Sequence, residues 1–325
     1  MDFNALTPDL VLLAVEQAFD VVLDGSITPY PSYINRVYGV RTDGGDERIV
    51  KFYRPDRWSA EAIADEHSFL NDCYRAEVPV VPPLADADGD TLHEIELDTD
   101  TTYLFALFEK TGGRNFDAEH DEDWYRLGTL TARVHLAGMS RPAPARLVCH
   151  PEEVTRRYVE DILSADVLSP EHRSTFEALC TYMIRTTTPL FEDVPTQRVH
   201  GDFHRGNILD RPGTGLLVFD FDDMMNGPPI QDLWLLLPDY AAECGREITM
   251  LTDGYEQFLS FDRRQLPLIE PLRFMRMIYF LAWQVRQRFD YSFYLTFPHW
   301  GSNAFWEREL EELYTQREIV DEQLR

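Results

Sequence analysis

Short apolar runs with period-two alternation are concentrated in the first third of the chain, whereas apolar residues three or four apart recur through the rest. Residues 1 to about 110 therefore read as strands mixed with one or two helices. The remainder reads as mainly helical, apart from a strand-rich segment near 198–222. Two lobes are expected, residues 1–111 and 112–325, giving an α+β fold with a small β-rich N-lobe and a mainly helical C-lobe. The join falls near Thr111-Gly112-Gly113, where paired glycines follow an apolar strand at 103–108 and would let the chain swing. The longest apolar stretches, such as 233–237 and 277–283, fall far short of the ~20 residues a membrane span needs.

Two elements of the first lobe carry a chemical signal. Residues 48–53 read as a strand with Ile49, Lys51 and Tyr53 on one face and Val50 and Phe52 on the other. Ser59 is placed to cap a following helix, with Glu61 in its first turn and Ile63, Glu66 and Leu70 on one stripe. A carboxylate on a core-facing stripe needs a partner, and the neighbouring strand offers Lys51. Taken alone, a solvent-facing Glu66 and a snorkelling Lys51 are the ordinary alternative. The chemistry further along the chain tips the reading to a Lys51–Glu66 ion pair.

Composition narrows the classes. The 325 residues suffice for one large core or two modest ones. A formal net charge of -27, without any basic run, excludes nucleic acid as a partner, and the even spread of acid reads as a solvated surface. Lys51 and Lys110 are the only lysines, so each invites explanation. Cys73, Cys149, Cys180 and Cys244 are scattered without metal-ligand spacing, and the first ten residues lack a basic region followed by an apolar run. A reduced, cytoplasmic protein is expected.

The segment His200-Gly201-Asp202-Phe203-His204-Arg205-Gly206-Asn207 places an asparagine five residues after an aspartate, the spacing of the protein-kinase catalytic loop. Beyond it, Ile208 and Leu209 read as a strand, 211–215 as a Pro-Gly turn and 216–219 as the returning strand. Folding about that turn brings Asn207 close to Asp220. Phosphoryl transfer needs hard oxygen ligands for magnesium and a carboxylate that accepts the proton of the attacking hydroxyl. Asn207 and Asp220 fit the first requirement and Asp202 the second.

Asp222 and Asp223 follow closely, but residues 220–226 lack the alternating ligands and central glycine of a calcium loop. Zinc on His200 and His204 is disfavoured by Gly201, which argues against a helix there, and His200 reads as a structural support for the loop. Asp232 reads most simply as a helix N-cap, with orientation of the catalytic loop as the alternative.

Together these residues resemble the bacterial stress response kinase A family, within the aminoglycoside phosphotransferase-like branch of the protein-kinase-like enzymes. The resemblance runs through most of the chain. It rests on Ser32-Tyr33-Ile34-Asn35-Arg36-Val37-Tyr38, Val50-Lys51-Phe52-Tyr53-Arg54-Pro55, Gly112-Gly113-Arg114, His200-Gly201-Asp202, Asn207-Ile208-Leu209, Asn226-Gly227-Pro228 and Gln231-Asp232-Leu233-Trp234. It implies a serine/threonine protein kinase of the stress response that uses ATP and Mg2+, with Asp202 as proton acceptor and Asn207 and Asp220 on the metal. It also implies a loop at 32–36 over the ATP phosphates, with Arg36 touching a phosphate through its planar guanidinium. The run at 103–109 matches the expected adenine hinge, with an apolar core strand as the competing account. Asp220-Phe221-Asp222 departs from D-F-G, and there is no A-P-E segment, so control by an activation loop is not expected.

Two rival functions keep the same residues. A small-molecule kinase of the aminoglycoside or choline type shares the fold and the metal site. A pseudokinase used as a binding module is disfavoured because Lys51, Glu66, Asp202, Asn207 and Asp220 are all present. The expected partners are ATP and a protein substrate whose identity the sequence does not specify.

Overall fold

The structure, a computed structural model, describes residues 3, 5–32, 34–98, 101–290 and 293–325. Its N-terminal region holds α1 (Pro8–Phe19), β1 (Leu23–Tyr30), β2 (Arg36–Thr42), β3 (Glu47–Phe52), α2 (Ala60–Arg75), β4 (His93–Asp98) and β5 (Thr101–Glu109). The strands form one antiparallel sheet in the order β1-β2-β3-β5-β4. Thr7 caps α1 by accepting from the Leu10 N–H at 3.4 Å, and Ser59 caps α2 by accepting from Ala62 at 3.2 Å.

The alternation read in 48–53 sorts the two faces of β3. Val50 and Phe52 join Val11 and Val15 of α1 in one apolar cluster, while Tyr53 meets Ile63 of α2 on the other side. Lys51 lies on the α2 side opposite Ala106 of β5, whose small side chain leaves the ammonium room.

The C-terminal region begins with β6 (Arg114–Asn115) and α3 (Asp121–Gly138), followed by α4 (Arg156–Ser164) and α5 (Pro170–Thr187). Then come β7 (Gln197–Val199), β8 (Ile208–Arg211), β9 (Gly215–Val218), β10 (Met225–Gly227) and α6 (Ile230–Trp234). The chain closes with α7 (Gly245–Tyr255), α8 (Ile269–Gln287), α9 (Phe293–Thr296) and α10 (Asn303–Gln323). A three-stranded sheet β6-β8-β9 and the pair β10-β7 sit among the helices, over a core that includes Phe176, Phe274 and Trp306.

Two expectations about this framework become specific. Residues 103–109 lie within β5, which pairs with β4 over 101–105 and with β3 over 105–109, so the run is a sheet strand whose far end, 106–109, lies beyond the β4 ladder. The Leu104 and Leu107 carbonyls also accept from Tyr53 and Leu84. The paired glycines are not a free swivel. Gly112 has open space, but a Cβ on Gly113 would sit 2.7 Å from the Leu209 Cβ, so glycine at 113 permits close approach to the β8–β9 hairpin.

Helices α3 and α7 pack backbone against backbone at Gly128 and Gly254. A Cβ at the first would run into the Leu251 carbonyl and at the second into the Tyr125 carbonyl. We expect Gly128→Ala and Gly254→Ala each to cost about 1–3 kcal/mol through forced separation of the helices. Gly245→Ala, in the first turn of α7 with nothing within 4 Å, should be neutral or stabilising. Urea denaturation of the three variants checks the contrast.

Candidate active site

The loop at 200–207 hangs from a single buried carboxylate. Asp232 is fully buried and accepts the His200 N–H at 2.7 Å, the Gly201 N–H at 2.9 Å and a hydrogen bond with His135 Nε2 at 2.9 Å. The His135 Nδ1 side meets the Tyr255 hydroxyl at 3.0 Å, so α3, α6 and α7 all brace the loop. This corrects the N-cap reading of Asp232. Pro229 holds the cap position of α6, and Asp232 lies inside the helix with its side chain turned onto the loop. Gly201 has φ +81°, and a Cβ there would strike the Asp223 carbonyl.

His200 ties the loop to the end of β9. Its Nδ1 accepts from the Asp202 N–H at 3.3 Å, which leaves Nε2 to donate to the Phe219 carbonyl at 3.0 Å. The β8–β9 hairpin forms with Ile208 against Val218 and Leu209 against Leu217, one residue short of the register that sets Asn207 opposite Asp220, and the Phe219 N–H donates to the Asn207 carbonyl at 3.1 Å. Asn207 Nδ2 donates to the Asp202 carbonyl at 3.0 Å, leaving its side-chain oxygen as an acceptor. Asp220 follows in a left-handed conformation, φ 62° and ψ 66°.

Around this hairpin, acids and bases interlock. Lys51 Nζ lies 3.2 Å from Glu66, 3.0 Å from Asp222 and 3.7 Å from Asp220. Burial opposes the lysine charge, but Asp222 and Glu66 outweigh it and hold its pKa well above the usual range. Arg146 holds the second oxygen of Glu66 at 3.0 Å, and Arg57 lies 3.1 Å from Asp222 and 2.5 Å from Asp223. Removal from water, with Asp222 and Asp223 alongside, raises the Asp220 carboxyl above the ordinary range against the pull of Lys51, although half of its side chain is exposed. Arg276 of α8 meets Asp202 at 2.6 Å. Burial alone would raise Asp202, but His204 and Arg276 hold it well below the usual carboxylate range, so it stays ionised.

The sequence reading missed Arg57, Arg146 and Arg276, and weighed Asp222 and Asp223 only as calcium ligands. Arg36 stands apart. It opens β2 with its guanidinium 4.8 Å from the centre of the Phe3 ring and donates to the Asn35 carbonyl. Tyr33, in the expected phosphate loop between β1 and β2, lies outside the described residues. Among the described residues, no three His, Cys, Asp or Glu side chains form a self-sufficient metal site. The Asn207 side-chain oxygen and the Asp220 carboxylate, just outside the two ends of the β8–β9 hairpin, are hard oxygens of the kind a magnesium ion takes.

A family model described as the phosphotransferase enzyme family matches residues 26–269. The serine/threonine protein kinase RdoA of Salmonella typhimurium (strain LT2) is 36% identical over 324 residues, covering 98% of this chain and 95% of that protein. Stress response kinase A of Escherichia coli (strain K12) is 34% identical with the same coverage. Of solved structures, the amicoumacin kinase hAmiN in complex with AMP-PNP, Ca2+ and Ami aligns with a TM-score of 0.74 at 20% identity, over 97% of this chain and 93% of its own. The microcompartment-associated aminopropanol kinase aligns at 0.72 and 19%, over 98% of each. At those identities the two structures show the fold alone, the protein-kinase-like one with a sheet-bearing N-terminal region and a helical C-terminal region.

Two expected outcomes follow from the buried charges. Lys51→Ala leaves Glu66 and Asp222 buried with less countercharge and should cost about 3–5 kcal/mol in urea denaturation. His67 lies between the Tyr53 hydroxyl (2.9 Å) and Thr91 (2.8 Å), and burial, with Lys51 and Arg146, lowers its pKa to about 3. Its folded pKa lies below the unfolded value, so the unfolded chain takes up the proton and stability is lost as pH falls from about 6.5 towards about 3. Between pH 7 and pH 5, His67→Gln should lose about 2 kcal/mol less than the unsubstituted protein.

Proposed function

The chain belongs to the phosphotransferase enzyme family, with stress response kinase A among its relatives, and on that premise we propose that it moves the γ-phosphoryl group of ATP to a serine or threonine hydroxyl of a protein. The observation that carries this reading is the meeting of Lys51 and Glu66, from the N-terminal sheet and α2, with Asp220 beside the hairpin that holds Asn207 and Asp202. The choice of a protein hydroxyl rests on the relatives' names, and a role in the stress response, in the cytoplasm, belongs to the same proposal.

Residues 1–111 would hold the nucleotide and 112–325 the catalytic and acceptor sites. Lys51, fixed by Glu66 and Asp222, faces the phosphates with a compact charge. Asn207 and Asp220 would hold a magnesium ion, whose chemistry is to neutralise charge on the phosphate oxygens. Adenine would meet the end of β5 and the segment after it, since the β4 ladder reaches only to Phe105. Arg36 reaches a phosphate only by leaving the Phe3 ring.

In the transfer, the acceptor oxygen bonds to the γ-phosphorus, the bond to the bridging β–γ oxygen breaks, ADP leaves and the hydroxyl proton passes to Asp202. A carboxylate held as acidic as Asp202 is a weak base. Its larger contribution is therefore to orient the hydroxyl, with proton transfer late in a loose transition state.

Replacing Asp202 by Asn preserves size and deletes the basic oxygen. Isothermal titration of ATP with magnesium should give nearly unchanged affinity, while phosphoryl transfer falls by roughly 10²-fold or more. Equal collapse of both would make Asp202 a structural or metal-binding residue.

A further inference from the structure

An outer groove of about 750 Å³ runs past Trp58, Tyr158 and Tyr279 and carries five arginines, Arg54, Arg57, Arg157, Arg286 and Arg288. Its wall holds three acids, Asp56, Asp161 and Asp223, an excess of base over acid that reverses the balance of a chain with 57 acidic and 30 basic residues. Of those acids, Asp161 pairs with Arg286 and Asp223 with Arg57, while Arg54 pairs with Asp290. Arg157 and Arg288 have no carboxylate partner among the described residues. Arg157 is exposed, and Arg288 donates to the Val285 carbonyl and stacks on Phe289.

The groove leads to the catalytic loop. It shares Trp58, Tyr158, Asp223 and Tyr279 with an inner cavity of about 50 Å³ that reaches Gly201 and Arg276, the sequence neighbour and the ion-pair partner of Asp202. A space of about 50 Å³ accepts a few waters or one small side chain, not a substituted sugar. An acceptor whose hydroxyl lies at Asp202 while its charges meet Arg157 and Arg288 must extend from the inner cavity into the groove. The overall charge of -27 repels anions at long range, so an anionic acceptor needs a local basic wall, and a cationic one would be repelled by it.

We propose that this groove receives an acidic peptide segment, with Arg157 and Arg288 reading carboxylates that flank the phosphorylated serine or threonine. The assignment rests on the phosphotransferase reading above and specifies its acceptor.

The test supplies the full-length chain with labelled ATP and four acceptors: a serine peptide flanked by Glu and Asp, the same peptide with Lys and Arg, malate as a free hydroxy acid, and an aminoglycoside. The acidic peptide should exceed the basic one in kcat/KM by about tenfold or more, and the advantage should shrink as salt rises. In R157E/R288E that preference should collapse or invert, with ATP affinity and melting temperature unchanged. A better rate with the basic peptide, malate or the aminoglycoside overturns the proposal, as does a preference that survives the double substitution. Absence of ATP binding with magnesium in the unsubstituted protein would instead reject the phosphotransferase reading. ATP binding without transfer to the acidic peptide rejects the acceptor assignment alone.

Discussion

The site is organised by the need to neutralise carboxylates withdrawn from water. Glu66 and Asp222 are nearly inaccessible, and either one left without a cation would cost several kcal/mol. Lys51 meets both, from a strand whose other face is locked into the α1 side of the sheet. A compact ammonium suits a position among several carboxylates better than a planar guanidinium, which matches the retention of lysine here in a chain that otherwise uses arginine almost throughout. The pairing ties β3 to α2 and, through Asp222 and Asp220, both to the segment after β9. Arg57 and Arg146 complete the joint by reaching Asp222, Asp223 and Glu66 from other loops.

The loop at 200–207 is set by a different device. Asp232 takes two successive backbone N–H groups, His200 and Gly201, and so fixes the direction in which the chain leaves β7. Its contact with His135, and that of His135 with Tyr255, transmit the close packing of α3 on α7 to the loop. Gly128 and Gly254 make that packing possible. The position of Asp202 thus depends on the packing of α3 against α7 as well as on its own neighbours.

Local relationships were the legible ones. The hairpin could be read because its turn is marked by Pro-Gly and its strands are four residues each, and the pairing of Lys51 with Glu66 because a helix stripe and a strand face lie only 15 residues apart. The partners of Arg57, Arg146 and Arg276 lie 166, 80 and 74 residues away, beyond any periodicity. Asp232 was read as a cap because an acid before an apolar run is the usual signal for one. What decides its role is three donors brought by other elements. The run at 103–109 shows the same limit from the other side, since a buried strand and a hinge share an apolar composition and only the pairing, with β4 over 101–105 and β3 over 105–109, places it.

Charge is unevenly balanced within the site. Asp202, Glu66, Asp220, Asp222 and Asp223 face Lys51, Arg57, Arg146 and Arg276, five carboxylates against four fixed cations. Asp202 and Asp223 each hold an arginine within 2.6 Å, and Glu66 and Asp222 each hold two cations. Asp220 has only the longest of these contacts, 3.7 Å to a lysine already engaged twice, and it is the half-exposed member with a raised pKa. It is therefore the acid of the cluster with the least countercharge, and the neighbouring Asn207 is anchored by its amide nitrogen, which leaves its oxygen uncharged and unused as an acceptor. The other acids of the cluster thus already hold cations within the protein, and the hairpin end beside Asp202 is where the countercharge is thinnest.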